Sequence, residues 1–233
     1  MNRSEARVLV ACEFSQTTMS AFLGLGYDAY SCDLLECEGP HPDRHYQCDI
    51  KEIMKMQWDL IIVAHPPCTR LCNSGVRWYT NPPKNPPADS TPQQIEDWPQ
   101  LGKKQRLDIM WLHLDQGAEL FSFFLNNDCP LICIENPVMH GHAKERIVNY
   151  KAQSQSFQPW QFGHNETKRI CFWLKGLPDL APLVTKKPKE LSNRVHSASP
   201  GPNRWKERSK FYSGVASEMA RQWAPILDGV SNN

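Results

Sequence analysis

The sequence predicts an α/β protein with a mostly parallel sheet. Short apolar, β-branched runs alternate along the chain with helix-like amphipathic segments, which is the order that parallel strands and crossover helices produce. Apolar residues make up 40% of the 233 residues, enough for a hydrophobic core and too many for a chain that is disordered throughout. No run approaches the roughly 20 apolar residues of a membrane span, and the first residues lack the apolar stretch of a signal peptide. We therefore expect a cytoplasmic protein without membrane association.

The first half of the chain predicts several strands and one helix. Residues 7–12 (RVLVAC) form an apolar run after a polar start, which favours a buried strand. Residues 17–25 carry apolar side chains at helical spacing, and Gly26 follows where a helix C-cap is expected. The other strands predicted in this half are 28–35, a weak one near 47–50, and the clearest of the chain, 59–64 (DLIIVA).

The second half begins with a proline-rich loop at 68–101, followed by a long helix at 103–126 with apolar residues on one face. The remaining predictions are strands at 129–134 and 169–174, a short helix at 143–150, a basic loop at 186–210 and a closing helix at 215–227. In open α/β sheets the ligand lies beyond the carboxyl ends of the strands, so polar residues at these ends are the candidate site residues.

A cysteine, Cys68, follows the clearest strand after two prolines. The prolines withhold two N–H groups and stiffen the turn, and a cysteine held there near Arg70 and Arg77 can act as a thiolate nucleophile. The alternative is a small buried cysteine.

Glu135 ends the next strong strand, in the run CPLICIENP, and adjacent parallel strands would bring it to the same rim as Cys68. A carboxyl group beside a nucleophile suits chemistry on a nitrogen heterocycle; the alternative is a cap on the following helix.

The order of these motifs resembles that of the DNA cytosine-5 methyltransferases. Pro-Pro-Cys follows one strand, Glu-Asn follows the next, and a basic pair, Lys168 and Arg169, precedes a late strand, as in the family. Residues 8–33 stand where the family has its first motif, Asp49 stands within its third motif, and residues 213–223 resemble its closing helix. The resemblance spans most of the chain and is greatest to the compact, divergent members that bacteriophages carry.

The resemblance implies a Rossmann-like S-adenosylmethionine-dependent methyltransferase fold. The activity implied is transfer of a methyl group from S-adenosylmethionine to carbon 5 of a cytosine flipped out of DNA. Cys68 would add to carbon 6 of the base, Glu135 would hold ring nitrogen 3 and the exocyclic amine, and Arg169 would contact the ring carbonyl oxygen. The residues that the resemblance assigns to the cofactor are Glu13, Phe14, Ser15, Asp33 (ribose hydroxyls), Asp49 (adenine amine) and Pro66.

Two segments depart from the family pattern. The glycine-rich first loop is replaced by residues 12–17 (CEFSQT), which contain no glycine, and the target recognition domain is replaced by a short basic segment at 179–210. The catalytic domain would then comprise 1–178 and 211–233. Residues 186–210 hold eight basic and two acidic residues, a net charge of +6 in a chain whose total is +1, which favours contact with DNA phosphates. The residues assigned to DNA are Arg70, Arg77, Lys186, Lys187, Arg194, Arg204, Lys206 and Arg208.

Several other interpretations stay open on the sequence alone. The chain could be a catalytically inactive DNA-binding relic or decoy of the same fold, or a cysteine hydrolase that uses Cys68 with His65. Zinc-ligand chemistry is present in Cys37, His41, His45 and Cys48, but the spacings match no common zinc module, and we predict no metal. We expect a monomer whose partner is DNA, with a partner protein as a second source of target recognition.

Overall fold

The computed structural model describes residues 3–64, 66, 68–192 and 211–230, and it consists of two compact units. The sheet unit comprises Met1–Pro66, Asn127–Glu135 and Ala152–Asn233, and the helical unit comprises Pro67–Asn126 and Asn136–Lys151. None of the described helices is both long and apolar enough to cross a membrane.

A seven-stranded sheet of order β3-β2-β1-β4-β5-β7-β6 organises the sheet unit. The strands are β1 Arg7–Ala11, β2 Asp28–Asp33, β3 His45–Gln47, β4 Leu60–Val63, β5 Leu131–Asn136, β6 Gln155–Phe157 and β7 Ile170–Lys175. The strands β1 to β5 are parallel, and β6 is antiparallel to β7. The order 3-2-1-4-5 is that of a Rossmann-like sheet, with its switch point between β1 and β4. The predicted α/β class with a mostly parallel sheet is confirmed.

The helices are α1 Thr17–Leu23, α2 Ile50–Ile53, α3 Pro92–Asp97, α4 Lys103–Leu125, α5 Gly141–Arg146 and α6 Ser213–Val230. In the sheet unit, α1 and α6 pack together over one face of the sheet. Phe22 of α1 and Trp223 of α6 join Val10 and Ile62 of the central strands in one buried cluster. Burial of large apolar side chains contributes roughly 1.5–3 kcal/mol each, so this cluster fixes the strands whose ends carry the candidate site.

Short 3-10 turns and the helix α3 replace part of the predicted loop at 68–101. The chain forms 3-10 turns at Cys68–Arg70 and Asn73–Tyr79. The helix α3 begins at a capping box, in which the side chains of Thr91 and Gln94 each accept a hydrogen bond from the backbone N–H of the other. The helix α4 packs against α5 in this unit, where the Ser122 hydroxyl accepts a 2.9 Å hydrogen bond from the Val148 N–H.

Candidate active site

Glu135 lies at the carboxyl end of β5, beside the end of β4. The register pairs Val63, the last residue of β4, with Ile134, so Glu135 lies one residue further towards the carboxyl ends of the strands. Its side chain is buried, with 3% exposure, and its Oε1 atom has no hydrogen-bond partner among the described residues. Burial raises the pKa of Glu135 to about 7, against a smaller opposing effect of the Lys168 charge. A buried carboxyl group with an unsatisfied oxygen and a pKa near neutrality is typical of a functional site.

Lys168, rather than Arg169, is the basic residue that acts electrostatically on Glu135. Arg169 is exposed, directly before β7, where its charge and that of Glu135 have opposite effects on the pKa of the Cys171 thiol. The Lys168 side chain is half-buried, with its ammonium group 5.9 Å from the centre of the Tyr212 ring. The resemblance assigned Arg169 to the site, whereas in the structure Lys168 is the cation whose charge lowers the pKa of Glu135.

The loop between β1 and α1 adopts glycine-like geometry without any glycine. Cys12 and Gln16 have φ angles of 57° and 56°, in the left-handed region that side chains rarely occupy. The Gln16 amide group compensates by donating hydrogen bonds to the Ser31 hydroxyl (3.0 Å) and the His41 carbonyl (2.7 Å) and by accepting one from the His41 N–H (2.8 Å). Gly39 lies so close that a Cβ atom there would be 2.5 Å from the Gln16 Cβ. The hydrogen bonds of the Gln16 side chain therefore fix this glycine-free loop.

Glu13 was predicted to bind the cofactor, but its carboxylate accepts hydrogen bonds from backbone N–H groups in the first turn of α1. Its two oxygens accept hydrogen bonds from the N–H groups of Thr18 (2.7 Å) and Met19 (3.0 Å). The side chain is fully buried, and burial raises the pKa of Glu13 although these hydrogen bonds oppose the change. The Glu13 carboxylate therefore stabilises the junction between the loop and α1.

Asp33 and Asp49, the other carboxylates predicted for the cofactor, lie near the loop. Burial, with the charges of Asp33 and Asp49, raises the pKa of the Cys12 thiol, so both carboxylates are within electrostatic reach of Cys12. Asp33 is half-buried at the end of β2, and burial raises its pKa, while Asp49 is exposed and caps α2. Of the remaining cofactor residues, Phe14 and Pro66 are buried and Ser15 is half-buried.

Cys68 begins the first 3-10 turn of the helical unit, and its side chain is half-buried. Its carbonyl accepts hydrogen bonds from the N–H groups of Leu71 (3.0 Å) and Cys72 (2.9 Å), which closes the turn. Arg70 in the same turn was predicted to contact DNA, but it is buried, with 4% exposure, and pairs with Asp89. Its guanidinium group is therefore occupied by Asp89, and we no longer expect Arg70 to contact DNA.

Of the other residues assigned to DNA, three lie within the described residues and are exposed. Arg77 is exposed and lies 4.4 Å from the centre of the Trp78 ring, and Lys186 and Lys187 are exposed. Arg194, Arg204, Lys206 and Arg208 lie outside the described residues.

His45, the first residue of β3, is held by protein groups. Both ring nitrogens of His45 are engaged, one with the Ser31 hydroxyl at 2.8 Å and the other with the Leu35 carbonyl at 3.0 Å. Within the described ranges, no three His, Cys, Asp or Glu side chains are grouped to hold a metal ion.

Comparisons with protein families and with curated proteins found no match. Three contacts were not predicted from the sequence: the effect of Lys168 on Glu135, the hydrogen bonds by which Gln16 holds the β1–α1 loop, and the pairing of Asp89 with Arg70. A polar residue in a glycine's position was the available signal for Gln16; the other two pairings join residues far apart in the sequence.

Proposed function

We propose that this protein is a DNA cytosine-5 methyltransferase that uses S-adenosylmethionine. The observation that carries the proposal is Glu135, a buried carboxyl group with an unpartnered oxygen among the described residues and a pKa of about 7. Cytosine offers the complementary pair of groups, because its ring nitrogen 3 accepts a proton and its exocyclic amine donates a hydrogen bond. At a pKa near 7 a carboxyl group can donate to the nitrogen and accept from the amine at neutral pH.

The Cys68 thiolate is the proposed nucleophile. Its attack on carbon 6 pushes an electron pair towards ring nitrogen 3, where the Glu135 proton neutralises the developing charge. Carbon 5 then becomes nucleophilic and would attack the methyl group of the cofactor, whose bond to the sulfonium sulfur breaks to leave a neutral thioether. Loss of the carbon 5 proton to water, with return of the nitrogen 3 proton to Glu135, expels the thiolate and restores the aromatic ring. Cys68 lies two residues beyond Pro66, so the covalent chain keeps its Cα within about 7 Å of the Pro66 Cα, just past the end of β4.

The β1–α1 loop favours this cofactor over a dinucleotide. Rossmann-like proteins that bind dinucleotides place the pyrophosphate at the N-terminus of the first helix. Here the Glu13 carboxylate already accepts the N–H groups of Thr18 and Met19 and would repel a phosphate. S-adenosylmethionine has no phosphate and supplies an electrophilic methyl group on a positively charged sulfur. Asp33 would hold its ribose hydroxyls and Asp49 its adenine amine.

DNA containing 5-fluorocytosine tests the proposal. Fluorine at carbon 5 cannot leave as a proton, so the adduct between Cys68 and carbon 6 persists in the presence of S-adenosylmethionine. We expect the wild type and a Cys37→Ala control to form a covalent protein–DNA complex, and Cys68→Ala to form none while it keeps the wild-type circular dichroism spectrum. Peptide mapping that locates the adduct on another cysteine would refute the role of Cys68.

An inactive DNA-binding relic is the second candidate, favoured by the filled β1–α1 loop. Titration calorimetry with S-adenosylmethionine separates the two, since the relic would release no heat. Labelled methyl transfer to unmodified DNA, followed by nucleoside analysis, identifies the product.

A further inference from the structure

The backbone of the Cys68–Arg70 turn is held by two side chains of the helical unit. The Arg70 carbonyl accepts hydrogen bonds from the Tyr79 hydroxyl (2.7 Å) and from Nε2 of His140 (2.8 Å). The other ring nitrogen of His140 accepts the Ala143 N–H at 3.1 Å, at the start of α5. A carbonyl can only accept, and Nδ1 must accept as well, so His140 is neutral with its proton on Nε2.

The side chain of Arg70 is held as firmly as its carbonyl. The guanidinium group donates to both carboxylate oxygens of Asp89, at 2.8 Å for the Nε bond, and lies 3.8 Å from the sulfur of Met110. Asp89 also lies 3.5 Å from Nδ1 of His113. Burial opposes the ionised form of Asp89, but the approach of His113 and the hydrogen bonds from Arg70 outweigh burial and hold the pKa of Asp89 well below its ordinary value.

The residues after the turn are bound to the segment that follows β5. The His140 N–H donates to the Leu71 carbonyl at 3.1 Å, and the Asn73 N–H donates to the Val138 carbonyl at 2.9 Å. Arg70 is thus fixed at its carbonyl, its side chain and its C-terminal neighbour. A half-buried cysteine two residues before it inherits that rigidity through a single 3-10 turn.

We propose that Tyr79, Asp89 and His140, which we call the Arg70 clamp, are positioning residues that set the place and accessibility of the Cys68 thiol. The proposal rests on Cys68 as the nucleophile of the proposed function. None of the three residues needs to touch substrate or cofactor. They act by holding the backbone that carries the thiol, and misplacement of a reacting group by about 1 Å can cost a hundredfold in rate.

Two substitutions of His140 separate the clamp from the capping of α5. In His140→Gln the side-chain amide can replace Nε2 and donate to the Arg70 carbonyl, and in His140→Asn the shorter amide can replace Nδ1 and cap α5. We expect iodoacetamide to alkylate Cys68 at the wild-type rate in His140→Gln and at least about threefold faster in His140→Asn, as followed by peptide mass spectrometry with Cys37 as the internal reference. Equal Cys68 rates in the two variants, or the reverse order, would overturn the proposal.

Methyl transfer provides the second measurement on the same proteins. We expect kcat to fall about tenfold or more in His140→Asn, with KM for DNA and for S-adenosylmethionine within about twofold of wild type, and His140→Gln to retain kcat. Tyr79→Phe removes one hydrogen bond without changing shape, so it should fold and show an intermediate loss. A difference in alkylation in proteins that transfer no methyl group would uphold the clamp and refute the methyltransferase proposal. Methyl transfer with equal kcat in the wild type and all variants would uphold the methyltransferase proposal and refute the clamp.

Discussion

Replacement of Glu135 by glutamine should abolish methyl transfer and yet stabilise the protein above neutral pH. The carboxyl group is buried, with 3% exposure, and its pKa is raised from the ordinary 4.5 to about 7. The folded protein therefore binds more protons than the unfolded chain between these two pH values. The stability that the protonated group contributes is fully present below about pH 4.5 and is lost as the pH rises through about 7.

The separation between the two pKa values fixes the size of the effect. Each pH unit of separation corresponds to about 1.4 kcal/mol, so the complete change is about 3 kcal/mol. Most of this change in the free energy of unfolding, about 2–3 kcal/mol, occurs between pH 5 and pH 8. Glutamine has nearly the shape of a neutral glutamic acid and does not titrate. The free energy of unfolding of Glu135→Gln, minus that of the wild type, should therefore rise by this amount from pH 5 to pH 8.

Urea unfolding of both proteins at pH 5, 6, 7 and 8 measures this difference. The other groups with altered pKa values, Glu13 and Asp33 among them, are present in both proteins and cancel to first order. Glu96→Gln, a substitution on the exposed part of α3, serves as the control and should show no comparable dependence on pH. A difference between Glu135→Gln and wild type that stays constant from pH 5 to pH 8 would refute the reasoning about burial.

Three further predictions concern the neighbours of Glu135, the cofactor and DNA. Lys168→Met removes the charge that opposes the raised pKa of Glu135, so the pH range of that stability loss should move upwards; the same urea series measures it. Asp33→Ala should weaken S-adenosylmethionine binding by roughly ten- to a hundredfold in calorimetry, since a hydrogen bond to a charged group contributes about 1.5–3 kcal/mol. DNA binding should weaken steeply with added salt in a fluorescence titration, and bisulfite sequencing should reveal a short or degenerate target of roughly two to four base pairs.

The sequence predicted the central strands well because burial shapes their composition. The strands β4 and β5 are buried along their whole length, so they form continuous apolar runs that are hard to mistake. The three-residue strand β6 was missed because Gln155–Phe157 holds one buried residue and gains its pairing only from β7, later in the chain. The weak third strand, predicted near 47–50, lies at His45–Gln47, because Asp49 instead caps α2.

The sequence predicted where the candidate site residues lie along the strands, but it did not predict their burial or their hydrogen-bond partners. That Glu135 lies near the end of a strand follows from the sequence. That its Oε1 atom has no hydrogen-bond partner among the described residues depends on everything packed around it. Arg70 stands in a polar, proline-rich stretch that indicated exposure. Its burial depends on Asp89, which lies 19 residues along the chain in a loop without regular periodicity.

Glu13 and Glu135, both buried in the sheet unit, show how hydrogen bonding distinguishes a structural residue from a functional one. Glu13 has two N–H donors on its carboxylate, and its removal by Glu13→Ala should leave those donors unpaired, at a cost of about 1–3 kcal/mol. Glu135 has an oxygen without a partner among the described residues, although a buried acceptor is normally paired. An apolar side chain would fill the same position without the cost of burying a carboxyl group. We infer that such a group, unfavourable for folding and with a pKa near neutrality, binds a ligand that completes its hydrogen bonds. The flipped cytosine of the proposed function would offer both the acceptor and the donor that this carboxyl group needs.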